Sequence, residues 1–172
     1  MLQKVFMEEM EKGFNIVISQ DSEILILGSM PGTKSLDAAE YYAHPRNAFW
    51  GIIEHVFNIE RSLDYTKRTE MLLMKKVALW DVIHACERKG SLDSNINNNS
   101  VVYNDLISVF ENYKRIKKVL LNGKTAANKF QKYCKENSFE KKFDVFVLPS
   151  TSPAHAALRF EDKLKAWKKA LL

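Results

Sequence analysis

Cysteine is nearly absent: Cys86 and Cys134 are the only two in 172 residues, and they stand far apart. There is no CxxC pair, and two thiolates are too few for a zinc or iron–sulfur centre. They read as buried thiols of a cytosolic protein. Histidine is sparse too. His44, His55, His84 and His155 are the whole set, and no HExxH or similar ligand spacing joins them. No metal site is expected. Apolar runs fall well short of the roughly 18 residues of a membrane span. Residues 1–15 carry charges throughout, unlike a signal-peptide core. No membrane partner is expected. A nucleotide triphosphate loop is missing as well: Gly123-Lys124-Thr125 lacks the earlier glycine of that motif, and Lys118 stands in its place. No GxSxG elbow marks a serine hydrolase.

The length suits one domain over residues 1–172, and 46% hydrophobic with 27% charged residues is ordinary globular composition. The net charge of +5 fits a polyanionic partner.

Six glycines and four prolines serve the whole chain, so their clusters are informative. Residues 24–27, ILIL, form an unbroken β-forming run, the mark of a strand buried inside a parallel sheet. The run ends in Gly28-Ser29-Met30-Pro31-Gly32, which cannot continue a strand and lets the backbone approach a ligand closely. YYAHPRNAFW, residues 41–50, follows. The carboxyl edge of an α/β sheet is where such folds place their sites, so this stretch is the expected active-site region.

Along the chain, residues 4–12 read as a short helix and 14–19 as an edge strand or lead-in. Strands are expected at 23–27, 77–83, 117–121 and 144–148. Helices are expected at 35–42 with Ser35 as cap, from Phe49 through Val56 with Asn47 as cap, and at 65–75. Others follow from Val102 through Tyr113, from Gly123 to about Glu136, and at 161–171. Residues 87–100, with a run of asparagines, read as an irregular surface loop. Strands alternating with helices imply parallel pairing. The expected fold class is α/β: a three-layer α/β/α sandwich around a central, mostly parallel four-stranded sheet.

Several residues admit two readings. Asn122-Gly123-Lys124 is either a plain strand-to-helix turn or a phosphate contact at a helix N-terminus. His44 and His155 lie in loops at the carboxyl edge, as ligand contacts or as exposed residues. Ser150, Thr151 and Ser152, between Pro149 and Pro153, form an ordinary turn or a set of hydroxyls for phosphate oxygens. Phe49 and Trp50 read as core. Tyr42 cannot share an interior side with Tyr41, and its flat ring suits stacking on a nucleobase.

Taken together, LILGSMPGTKSL (25–36), YYAHPRNAFW (41–50), LWDV (79–82), LNGKTA (121–126) and LPSTSPAHA (148–156) resemble the uracil-DNA glycosylase superfamily. Within it they resemble the hypoxanthine-DNA glycosylase branch, related to mismatch-specific uracil/thymine glycosylases. The paired motifs GSMPG and LPSTSPA carry most of the specificity. The resemblance implies a monofunctional, cofactor-free glycosylase of base-excision repair. It would act as a cytoplasmic monomer on double-stranded DNA, flip out a damaged or deaminated base, chiefly hypoxanthine, and hydrolyse its N-glycosidic bond. It also implies roles. Gly28, Ser29, Met30, Tyr42 and His44 would bind the base. Lys124, Ser150, Thr151, Ser152, Pro153 and His155 would contact DNA. Met30 stands where uracil branches carry a water-orienting Asp or Asn, which shifts the catalytic expectation to Asn47 and argues against ordinary uracil excision. The rival readings are a mismatch-type uracil-DNA glycosylase, a nucleotide-binding α/β hydrolase unrelated to DNA, and a lesion binder without turnover.

Overall fold

The computed structural model describes residues 10–140 and 142–172. Four strands make a wholly parallel sheet: β2 (Ile24–Gly28), β3 (Val77–Asp81), β6 (Lys118–Asn122) and β7 (Asp144–Leu148), in the order β3-β2-β6-β7. The alternation of side chains explains the layers. Leu25, Leu27, Ala78, Val119 and Leu121 point to one face, where they pack with Leu106, Val109, Phe130 and Tyr133. Ile26, Val77, Leu79 and Leu120 point to the other, against Phe49, Ile52, Ile53, Leu72 and Trp167. Both faces are dry, so the central strands read as continuous apolar runs.

The first face is covered by α4 (Leu106–Asn112) and α5 (Lys124–Glu136). The second is covered by α2 (Phe49–Phe57), α3 (Tyr65–Met74) and α6 (Phe160–Leu171). A short α1 (Thr33–Ala38) follows the first loop. This is the expected three-layer α/β/α sandwich. No helix among the described residues is long and apolar enough to cross a membrane.

Some expectations need correction. The strand expected over 77–83 breaks at Val82. Its N–H donates to the Gly28 carbonyl, and the chain leaves the parallel sheet there. It re-enters as β4 (Ile83–Cys86), the middle of a second, antiparallel sheet with β1 (Glu11–Lys12) and β5 (Val102–Tyr103). Val102 therefore begins no helix; Asp105 starts α4 by accepting from the Ser108 N–H. The helix expected over 4–12 lies mostly outside the described residues, and its last two residues are β1. Residues 14–19 supply only an isolated antiparallel bridge, Val17 to Leu79. Ser35 does not cap α1. It is buried inside that helix, and its Oγ accepts from the Ala43 N–H, drawing the following loop onto the helix. Residues 87–100 are more ordered than expected, with two short 3-10 turns, Asp93–Asn95 and Asn98–Ser100.

From β2 the chain crosses to β3 on one side; from β6 it crosses to β7 on the other. The crevice between the carboxyl ends of β2 and β6 is thus the switch point at which α/β sheets bind ligands.

Candidate active site

A cavity of about 820 Å³ opens at that switch point. All four parallel strands end in it, contributing Gly28, Asp81, Asn122 and Leu148. The Gly28–Gly32 loop forms one wall, and Pro149–His155 the wall opposite. Tyr42, His44, Asn47 and Lys124 also line it. Residues far apart in sequence thus meet because the sheet is parallel: every strand delivers its carboxyl end to the same edge.

The first wall is tied down from several directions. Val82 and Ile83 donate their N–H groups to the carbonyls of Gly28 and Ser29. Ser29, nearly buried, directs its hydroxyl at the Asp93 carboxylate, 2.8 Å from each oxygen. Arg88 is fully enclosed, donates to the Pro31 carbonyl, and pairs with Glu11 at 2.6 Å. Met30 is turned into a small apolar cluster with Ile83, Cys86 and Ile96. It supplies wall rather than a polar contact.

Asn47 lies just before α2. Its Oδ1 accepts from the Phe49 N–H at 3.0 Å, a turn bond just ahead of the helix; the expected cap is corrected, because the N-cap is Ala48 and no side chain caps α2. With Oδ1 so engaged, the amide NH₂ is the half left to serve as a donor in the cavity. His44 is fixed in a similar way. Its Nδ1 accepts from the Arg46 N–H, which puts the proton of the neutral ring on Nε2.

Tyr42 has a left-handed backbone, φ 58°, uncommon for a bulky residue and of the kind that gathers at functional sites. Its ring stacks on Phe49, with centroids 4.0 Å apart. One ring face is therefore taken, and stacking on a flipped base is left to the other. Its Oη is buried and makes no hydrogen bond of ordinary geometry among the described residues, although the Asn122 side chain stands close enough to interact with it. Asp81 Oδ2 is likewise buried without a hydrogen-bond partner among the described residues. Each such group costs about 1–3 kcal/mol when left unmade. Asp81 is 3% exposed. Burial first, and the Asp93 carboxylate second, push its pKa up to about 8, with Arg88 pulling the other way. The sequence marks Asp81 only within LWDV at the end of a strand, with no role. The only available signal was a lone acid closing an apolar strand.

The second wall is held at both ends and is half-buried between them, with Thr151 buried and only Ala154 exposed. Trp167 Nε1 donates to the Pro149 carbonyl, and Lys163 Nζ to the His155 carbonyl at 2.8 Å. Lys163 is itself buried, and desolvation lowers its pKa. Thr151 departs from the DNA-contact expectation. It is 1% exposed and doubly bonded to Asn122, whose Nδ2 donates to Thr151 Oγ1 while Oδ1 accepts from the Thr151 N–H. Its polar atoms serve the loop's own fold. Ser150 and Ser152 accept from backbone N–H groups two residues on, at Ser152 and Ala154, as turn-forming hydroxyls do. Both still line the cavity, as do Pro153 and His155. Gly123 starts α5 with φ 94°, and a Cβ there would stand 2.9 Å from the Ser150 side chain. Lys124, exposed beside it, reaches the rim.

Comparison with known proteins places this architecture. The family model described as "Uracil DNA glycosylase superfamily" matches residues 16–171. A protein of Methanosarcina acetivorans named hypoxanthine DNA glycosylase is 32% identical over 146 residues, covering 84% of this chain and 88% of that protein. A Methanosarcina barkeri protein of the same name is 37% identical over 115 residues, covering 66% and 72%. A solution NMR structure from Methanosarcina acetivorans, proposed to be a uracil DNA glycosylase, superposes with a TM-score of 0.77 at 29% identity, covering 94% of this chain and 96% of its own. With a family model spanning nearly the whole described chain, this protein belongs to the uracil DNA glycosylase superfamily.

Proposed function

We propose that this DNA glycosylase excises hypoxanthine from double-stranded DNA, acting as a cytoplasmic monomer by simple hydrolysis. The reading is carried by one observation: Asn47 presents an amide donor to the cavity that both motif loops line, while Met30 gives that cavity only apolar wall. The choice of lesion follows the names of the two relatives.

The chemistry needs little from the protein beyond placement and charge stabilisation. As the C1′–N9 bond of a flipped deoxyinosine breaks, its electron pair goes to the purine and the sugar gains positive charge. Water adds to C1′ and gives up its proton. The Asn47 NH₂ and the His44 Nε2–H are donors suited to the anionic leaving base, and a preorganised donor contributes on the order of a hundredfold in rate. Tyr42 holds the base by its uncovered ring face. Gly28 and Ser29 let the backbone come close to it. Lys124, Ser150, Ser152, Pro153 and His155 face the duplex. Lys34 and Lys124 stand at the rim, but both are exposed, whereas a Schiff-base lysine is desolvated. Strand cleavage is therefore not expected.

The test is a panel of labelled duplexes carrying hypoxanthine, uracil, xanthine or ethenocytosine, with alkali to reveal abasic sites. Hypoxanthine should be released fastest at saturating enzyme. Asn47→Ala should slow that release on the order of a hundredfold. Asn47→Ser should restore the turn bond to the Phe49 N–H, which a hydroxyl can also accept, yet little of the rate. Near-normal excision by Asn47→Ala would move the catalytic role to His44. Tight binding of every lesion without turnover would favour the lesion-binder reading that Met30 leaves open.

A further inference from the structure

A third segment reaches the cavity besides its two walls. Ser91, Leu92, Asp93 and Ser94, between β4 and β5, also line it. The segment is a closed loop. An antiparallel bridge joins Arg88 to Ile96 at its neck, and the Asn95 side chain donates to the Lys89 carbonyl. Ile96 is buried in the apolar cluster with Met30, Ile83 and Cys86. Toward the cavity, Asp93 accepts from the Ser29 hydroxyl. The Ser91 hydroxyl accepts from the Thr33 N–H at 2.9 Å and donates to Thr33 Oγ1 at 2.8 Å. Leu92 stands between those two ties, and its carbonyl accepts from the Asn95 N–H. Its neighbours on both sides are thus fastened to the first loop or its continuation. Its own side chain is 50% exposed, so an ordered turn holds it in water, where it forgoes the gain of burial.

One exposed leucine is ordinary; a gathering of exposed apolar side chains around one opening is not. Val147 is 53% exposed and Leu158 39%, and both line the same cavity from the side of the second wall. Apolar side chains that are half in water and still line a cavity stand at its mouth. Here they stand on both sides of it. Lysines and hydroxyls at that mouth suit phosphates. An aliphatic side chain does not; what it suits in a nucleic acid is the face of a base. In a closed duplex those faces are stacked. Once a nucleotide leaves the stack, a face is uncovered on each flanking base pair.

We propose that Leu92 is a DNA wedge: on binding duplex it packs, from the side of the first wall, against a base-pair face uncovered beside the extruded nucleotide. This rests on the reading of the chain as a base-extruding glycosylase, and it gives Leu92 a part in opening the duplex rather than in breaking the bond. The ties at Ser91 and Asp93 set the wedge before DNA arrives, so little ordering is left to be done on binding. An aliphatic chain offers no donor or acceptor, so the wedge selects no lesion and serves every base the enzyme extrudes alike.

The experiment compares wild type, Leu92→Ala and Leu92→Met in single-turnover excision of hypoxanthine from a duplex and from the same strand unpaired, beside thermal melts. A single strand has no pair to open, so a wedge contributes nothing there. Leu92→Ala should lose about tenfold on duplex and stay within about twofold of wild type on the single strand. Leu92→Met, long and apolar, should regain most of the duplex rate. All three should melt alike. The inference is overturned if Leu92→Ala stays within about twofold of wild type on duplex, or if it loses as much on the single strand. The second result would make Leu92 a contact of the extruded nucleotide itself. A second arm reads the stack directly, with 2-aminopurine beside an uncleavable 2′-fluoro-deoxyinosine. Its fluorescence should rise about threefold on binding saturating wild type, as the step unstacks, and much less with Leu92→Ala. An equal rise overturns the inference, and this arm decides alone if wild type does not act on single strands. If wild type releases hypoxanthine from neither substrate, the lesion reading fails. The same fluorescence beside a tetrahydrofuran abasic analogue then decides. A rise that Leu92→Ala at least halves supports the wedge; no rise, or one that Leu92→Ala keeps, overturns it.

Discussion

The two walls of the cavity are built on opposite plans. The Gly28–Gly32 wall is clamped along its length: the backbone of β4 bonds it from below, Ser29 is bonded to Asp93, and Arg88 grips Pro31. The Pro149–His155 wall is pinned at its ends by Trp167 and Lys163 and by Thr151 at one internal point. From Ala156 to Arg159 its continuation is exposed. The contrast follows from what each must do. On the proposed function, the first wall lies against the flipped base and has to hold its shape. A duplex must be met by a surface that reaches outward, and its phosphates supply affinity that tolerates small displacements.

The contrast can be broken most forcefully at Arg88. Arg88→Met leaves Glu11 and the Pro31 carbonyl without their partner, and loss of one member of a buried pair costs about 3–5 kcal/mol. Thermal or urea unfolding should show a loss of that size, together with slower excision at temperatures where the variant is folded. A variant as stable as wild type would mean the first wall does not depend on this clamp.

A smaller effect is expected at Lys163. Lys163→Met removes the bond to the His155 carbonyl, and hydrogen bonds to charged groups contribute about 1.5–3 kcal/mol. The second wall should then open to protease near residues 155–159, and affinity for duplex should fall. The single-turnover rate at saturating enzyme should change little, because the first wall is untouched. A rate that fell in step with affinity would blur the division between the walls.

The smallest effect is expected at Lys124. Lys124→Ala should weaken binding to all sequences alike and flatten the salt dependence by about one unit of slope. An unchanged slope would remove Lys124 from the DNA-facing surface.

The frame of this architecture was legible because parallel strands buried on both faces leave unbroken apolar runs. DVFVL ends at Pro149, which cannot continue it, and β7 spans the same five residues, Asp144–Leu148. The second sheet was hidden for the same reason. VALWDVIHAC is one apolar stretch, and nothing local marks Val82 as the point where pairing passes from one sheet to another. Val102–Tyr103 was masked by spacing: with Leu106 and Val109 it mimics a helical face, although Asp105 followed by Ser108 was a usable start signal for α4. Within the site, loops rich in glycine, proline and hydroxyls announced themselves. Asp93 did not, because its partner Ser29 lies 64 residues away and its neighbours look like surface loop. Thr151 was read outward because a hydroxyl between prolines carries no mark of the Asn122 side chain that claims it.

The missing Cβ at position 28 has a consequence for how this protein can vary. An alanine there would meet the Asp81 carboxyl, and a changed Asp81 would empty the space that glycine alone leaves open. Substitutions at 28 and 81 are therefore non-additive, as expected for residues sharing one space. Alone, a larger residue at 28 meets the carboxyl, and a smaller one at 81 leaves a void. Routes to other base preferences lie in the joint variants, where a larger residue at 28 is matched by a smaller one at 81.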